Sequence, residues 1–216
     1  HGVLFLDEFP EFTPQVLDSL RQPLETGECM IARANHRVSY PARIQLVAAM
    51  NPCKCGMAGE PGHRCARGPR CREDYQARIS GPLLDRMDIR IDVPSVHAAD
   101  LIRPSASEAS AAVALRVAKA RTIQKQRFER FGVSTMTTNA QCSVALIEQI
   151  AQPDKAGIAL LQQASEQMRF SARAYHRVLK VARTLADLEA QEQVGRIHLA
   201  EAISYRIGAD TTNIGS

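Results

Sequence analysis

Residues 3–8 read VLFLDE, four apolar side chains running straight into two adjacent carboxylates. A short continuous apolar run of this kind is a strand covered on both faces, the habit of a parallel sheet packed between helices. Two like charges side by side repel, so a strand ending in Asp7 and Glu8 calls for a cation or for a site that uses them. The run from Ile44 to Met50 is a second buried strand, ending at Asn51-Pro52, and Ile89 to Val93 reads as a third. Strands that end in polar residues and alternate with helical segments define an α/β fold with a parallel sheet. Ligands of such sheets bind beyond the carboxyl ends of the strands, and Asp7, Glu8 and Asn51 stand there.

Local signals fill in the rest. Thr13-Pro14 is an N-cap followed by proline at the first helical position, and Val16, Leu17, Leu20 and Leu24 predict one helix face that closes at Gly27. Residues 29–33 and 36–40 predict a hairpin about Ala34-Asn35. Residues 52–72 form a loop rich in Gly, Pro, Cys and Arg, and 75–87 read as helix broken near Gly81-Pro82. Beyond Pro94 the strand signals stop. Residues 107–131 predict a long basic helix without a clean apolar stripe. Three or four helices follow between 139 and 207, with Val178, Val181, Ala182, Leu185, Leu188, Leu199 and Ile203 as their core. The expected organisation is a sheet-bearing part over 1–94, a linker and long helix over 95–137, and an all-helical part over 138–216.

Composition narrows the partners. A net charge of +4 permits nucleic acid without requiring it, and 5% aromatic residues with no Trp argue against a base-stacking platform. No apolar run approaches the roughly 20 residues of a spanning helix, and the opening stretch lacks the features of a signal peptide. A chain that starts inside a strand, without Met, is read as part of a longer cytoplasmic protein with no membrane partner.

Four of the six cysteines fall within residues 53–71. Such clustering fits a metal better than a disulfide framework. Cys53, Cys55, Cys65 and Cys71, or three of them with His63, would complete a tetrahedral Zn²⁺ site. Arg64, Arg67, Arg70 and Arg72 would offset the thiolate charge. Cys29 and Cys142 stand alone and are expected to be ordinary buried residues.

A carboxylate at a strand end can hold Mg²⁺ while its neighbour orients an attacking water, as in nucleoside triphosphatases. On the residues alone the acid pair could equally cap the turn that follows. Taken in order, GVLFLDE, the 29–40 hairpin, LVAAMNP, RISGPLLDRMDI and SARAYHRVLKVARTLAD resemble the magnesium-chelatase-like AAA+ ATPases, and within them the ComM/YifB family. The resemblance covers nearly the whole chain. It implies an AAA+ αβα core, present from its Walker-B strand onward, followed by an all-helical lid. By the same resemblance Asp7 is the Mg²⁺ ligand, Glu8 the base that activates water, and Asn51 the sensor that polarises that water beside the γ-phosphate. Arg86 matches the arginine finger that reaches the neighbouring subunit's nucleotide, Arg173 the sensor-2 arginine of the lid, and Arg78 a second interface arginine.

The implied cofactors are ATP and Mg²⁺; the cysteine cluster adds either a structural Zn²⁺ or a loop of free thiols. The implied assembly is a homo-oligomeric, hexameric ring, and the implied work is ATP-driven DNA translocation or branch migration in competence or recombination. Arg33 and Arg37 on the hairpin would then face the ring channel and contact the DNA backbone. The family's phosphate loop, GxxxxGK[ST], has no counterpart in these residues and is expected upstream. This stretch alone should therefore hydrolyse ATP negligibly. Two other readings keep most of these features: the motor subunit of a magnesium–porphyrin chelatase, and a non-hydrolysing, zinc-stabilised binding module.

Overall fold

The computed structural model describes residues 2–33, 36–56, 65, 67–68, 70–94 and 108–207. The chain divides into two compact units, His1–Met87 and Asp88–Ser216. It is a mixed α/β protein with a small parallel sheet, a hairpin and many helices.

In the first unit, β1 (Gly2–Leu6) and β4 (Ile44–Ala48) pair in parallel, with Gly2 opposite Ile44 and Leu6 opposite Ala48. Pairing continues past both strands, because the Ala49 N–H donates to the Leu6 carbonyl at 2.9 Å and the Phe9 N–H to the Ala49 carbonyl at 3.0 Å. The crossover between them holds α1 (Pro14–Ser19), α2 (Arg21–Thr26) and the antiparallel hairpin of β2 (Glu28–Arg33) and β3 (His36–Pro41). Residues 14–26 were expected to form one helix and form two. Restarting at Arg21 puts Pro23 in a first turn, where its missing N–H leaves no hydrogen bond unmade. Gly27 ends α2 at φ 72°, and a β-carbon there would lie 2.9 Å from the Arg43 side chain, so this cap needs glycine.

After β4 come α3 (Cys71–Gln76) and α4 (Gly81–Leu84), whose N-cap Ser80 accepts from the Leu83 N–H. Phe9, Leu17, Ile79 and Leu83 make the buried core of this unit, flanked by Leu6, Leu20, Leu24, Leu84 and Met87. Each such side chain contributes about 1.5–3 kcal/mol on burial. The opposite face of the sheet is open, with Val3 69% and Phe5 60% exposed. Cys29, expected to be buried, is exposed, because both faces of the hairpin are open.

The second unit is helical. Residues 89–93 do not form the expected strand. Ile89, Ile91 and Val93 are exposed, and the Arg90 N–H donates to the Tyr205 carbonyl rather than to a ladder. Helix α5 (Ser110–Arg130) is followed by α6 (Val144–Ile150), α7 (Lys155–Met168), α8 (Ala172–Leu188) and α9 (Arg196–Ile207). Ser143, Asp154 and Ser171 cap α6, α7 and α8 with side-chain oxygens that accept N–H groups of the first turn. The expected core positions Val178, Ala182, Leu199 and Ile203 are buried, together with Phe128, Ile147, Leu161 and Val194. Among the described residues no helix is long and apolar enough to cross a membrane.

A buried carboxylate ties this unit together. Asp187 accepts from the Arg127 guanidinium, from Gln124 Nε2 at 3.2 Å, from Asn139 Nδ2 at 2.8 Å and from Arg183 Nε at 3.1 Å. Arg183 also donates to the carbonyls of Gln191 at 2.6 Å and Glu192 at 2.7 Å. Its guanidinium is held below the ordinary arginine range, first by burial, while the Asp187 charge opposes that shift. Removing one partner of such a pair leaves an uncompensated buried charge, so Asp187→Ala should destabilise the unit by about 3–5 kcal/mol. Urea denaturation monitored by circular dichroism measures that loss, and a change within about 0.5 kcal/mol would contradict it.

Candidate functional site

The acid pair stands where the chain leaves β1. Asp7 and Glu8 are both exposed, and Asp7 Oδ1 accepts the Glu8 N–H at 2.8 Å. Glu8 takes a left-handed backbone conformation, φ 49° and ψ 43°, which costs a residue with a β-carbon about 1–2 kcal/mol. That turn sends Phe9 directly into the core, 2% exposed, while the two carboxylates stay at the strand end. Asn51 lies three residues beyond β4 and is also exposed. Because β1 and β4 are parallel neighbours, all three residues lie beyond the carboxyl ends of adjacent strands, at one edge of the sheet. Among the described residues neither carboxylate is taken up by a cationic side chain. Exposed, uncompensated acids at a strand terminus are a donor set that suits a hydrated Mg²⁺.

The arginines are distributed differently. Arg86, just past α4, has a side chain only 8% exposed. Its guanidinium pairs with Glu25 of α2 and donates to the Pro82 carbonyl at 2.8 Å. Arg78 pairs with Glu11 at 3.3 Å. Glu11 also faces Tyr75, whose hydroxyl is pushed above its ordinary range by burial first and by that carboxylate next. Arg173 is exposed in the first turn of α8, in the second unit. Arg33 and Arg37 are exposed at the hairpin end, opposite His36 and Ala32. Sequence reasoning missed Glu25 and Glu11. Each is more than sixty positions from its arginine, a separation that carries no local signal.

The cysteine loop closes on itself. Cys53 Sγ lies 2.9 Å from Cys55 Sγ, which lies 3.0 Å from Cys65 Sγ, and the four Sγ atoms of Cys53, Cys55, Cys65 and Cys71 all fall within 4.8 Å of one another. Zn–S bonds of about 2.3 Å in a tetrahedron put sulfurs roughly 3.8 Å apart, so small shifts would admit the ion. All four are free thiols, with Cys53 and Cys71 buried. The alternative ligand His63 lies outside the described residues. Hydrogen bonding to Cys55 pushes the Cys65 thiol up to about 12, so a metal must displace protons on entry.

The arrangement defines a class of protein: an α/β sheet edge presenting an acid pair and an amide on neighbouring strands, beside a loop of clustered thiols. Comparison with known proteins agrees. The sequence profile of magnesium chelatase subunit ChlI matches residues 1–101, and that of the ChlI C-terminal region matches residues 107–206. The chain is 44% identical over 207 residues to competence protein ComM of Haemophilus influenzae, and 38% identical over 213 residues to YifB of Salmonella typhimurium. Both alignments take in 95% of this chain and 39% of the relative. The chain belongs to the magnesium-chelatase-like family that includes ComM and YifB, and it spans 39% of the length of these curated relatives.

Freshly purified protein should carry a single zinc, released by chelator with a lowered melting temperature. Cys53→Ser with Cys71→Ser should abolish it. Metal-free protein should release protons on zinc uptake, and apparent affinity should fall as pH falls, since protons compete for the thiolates. Elemental analysis and calorimetric titration at two pH values check this; metal-free protein with an unchanged melting temperature would refute it.

Proposed function

We propose that this chain is the Walker-B-onward part of a ring-forming AAA+ ATPase, with the helices of the second unit as its lid. The observation that carries the reading is the parallel pairing of β1 with β4, which gathers Asp7, Glu8 and Asn51 at one sheet edge in a chain of this family. In the full-length protein, Asp7 holds the Mg²⁺ that accompanies ATP, and bound there that ion would neutralise phosphate charge. Glu8 accepts a proton from the attacking water, and the Asn51 amide orients that water. Arg86 reaches the neighbouring subunit's nucleotide, with Arg78 beside the same interface, and Arg173 couples the lid to nucleotide state. The phosphate loop and the cover of the open sheet face come from the part of the protein outside these residues. The work is cytoplasmic.

A translocated DNA strand is the substrate this reading favours. The hairpin presents Arg33 and Arg37 to solvent, and one relative is named a competence protein. The family profile's own name supports a second reading, the motor of a porphyrin magnesium chelatase. Zn²⁺ at the cysteines is structural in either case, steadying the loop after Asn51.

In the full-length protein, Glu8→Gln should cut ATP turnover by about 10²–10⁴-fold while nucleotide still binds, and the 216-residue chain alone should turn over negligibly. Turnover retained by the Glu8→Gln protein would end the assignment. Replacing Arg33 and Arg37 by Ala should weaken DNA binding at every sequence and flatten its salt dependence by up to about two phosphate contacts. Fluorescence anisotropy across a salt series measures it. No DNA binding at low salt would favour the chelatase reading.

A further inference from the structure

We propose that Glu25 is a positioning residue that holds Arg86 folded back on its own subunit until a phosphate takes its place. The inference rests on Arg86 being the arginine that serves a neighbouring nucleotide. A group that must insert into another subunit cannot do so with 8% of its side chain exposed. The backbone around it is fixed: Ser80 Oγ donates to Asp18 Oδ1 at 2.6 Å, and Ile79 and Leu83 sit in the core with Phe9 and Leu17. Only the side chain is left to move.

Its present contacts are of unequal strength. The Pro82 carbonyl is a neutral acceptor at 2.8 Å, and Arg86 Nε is buried with no acceptor among the described residues. A buried unmet donor is costly, so the folded-back pose depends on the Glu25 charge. Carboxylate and phosphate both offer a guanidinium anionic oxygens for charge-assisted hydrogen bonds, and Arg86 already donates to one oxygen of Glu25. Glu25 therefore stands in for the anion that Arg86 meets at work. Being 43% exposed itself, Glu25 returns easily to water when exchanged. The sequence of events is release from Glu25, outward rotation of the arginine, and capture by the neighbour's phosphates.

Two measurements on the full-length protein test this. An arginine-directed dicarbonyl reagent, read by mass spectrometry without nucleotide, should modify Arg86 about threefold faster in Glu25→Gln than in the parent, matching the worth of a partly exposed ion pair. Unchanged labelling overturns the latch whatever Arg86 does in catalysis. Steady-state kinetics should show Glu25→Gln raising kcat with KM unchanged. Arg86→Ala should lower kcat by about a thousandfold, and the double variant should match Arg86→Ala. A lowered kcat in Glu25→Gln with faster labelling would overturn release as the step. Full activity in Arg86→Ala would sink the finger assignment instead, and the proposal with it. Glu25→Asp, which keeps the charge, should label like the parent, and it separates loss of the latch from loss of the fold.

Discussion

The parallel pairing of β1 with β4 is the contact on which the candidate site depends. Five residue pairs run from Gly2–Ile44 to Leu6–Ala48, and parallel strands bring their carboxyl ends to the same edge by construction. An antiparallel partner would have carried Asn51 to the far end of the sheet, away from the acids. The two further backbone bonds that join Leu6, Phe9 and Ala49 keep the strands in step through the turn where Asp7 and Glu8 stand. The left-handed conformation of Glu8 belongs to the same economy. The chain must drop Phe9 into the core immediately after presenting two exposed carboxylates, and strain in the backbone at such a point is what functional edges tolerate.

The helical unit is organised by a different principle. Its apolar core draws alanines and aliphatic residues from α6 to α9 together with Phe128 of α5, but the long α5 is also joined to α8 through polar groups. Gln124 and Arg127 reach the carboxylate of Asp187, which Arg183 and Asn139 also serve. A buried acid with this many donors sets the register of α5 against α8 more narrowly than aliphatic side chains would, since each hydrogen bond has a direction.

Much of this was legible in the sequence, for identifiable reasons. Short-range signals held up: the apolar runs that became strands β1 and β4, the hairpin strands and the Thr13-Pro14 start. The four cysteines read as one cluster lie together. Failures came where the outcome depends on distant partners. The alternation of Ile89, Ile91 and Val93 is strand-like, yet a strand needs a neighbour, and here the Arg90 N–H finds Tyr205 instead. The buried positions of α5, namely Ala120, Gln124 and Phe128, follow a helical period. A glutamine among them hides that period from any apolarity count. Glu25 and Glu11 were unreadable because only the fold brings them to their arginines.

The cysteine cluster has a consequence for how the sheet edge behaves. Cys53 lies two residues past Asn51, and Cys71 opens α3, which leads on to the segment bearing Arg78 and Arg86. An ion held by both would shut the intervening loop into a ring and remove the entropy of an open chain from its ends. Whatever orders Asn51 would then tighten the grip on the ion, and the ion would favour the ordered asparagine by the same factor. Metal binding and the ordering of Asn51 would thus be thermodynamically joined through a covalent path two residues long.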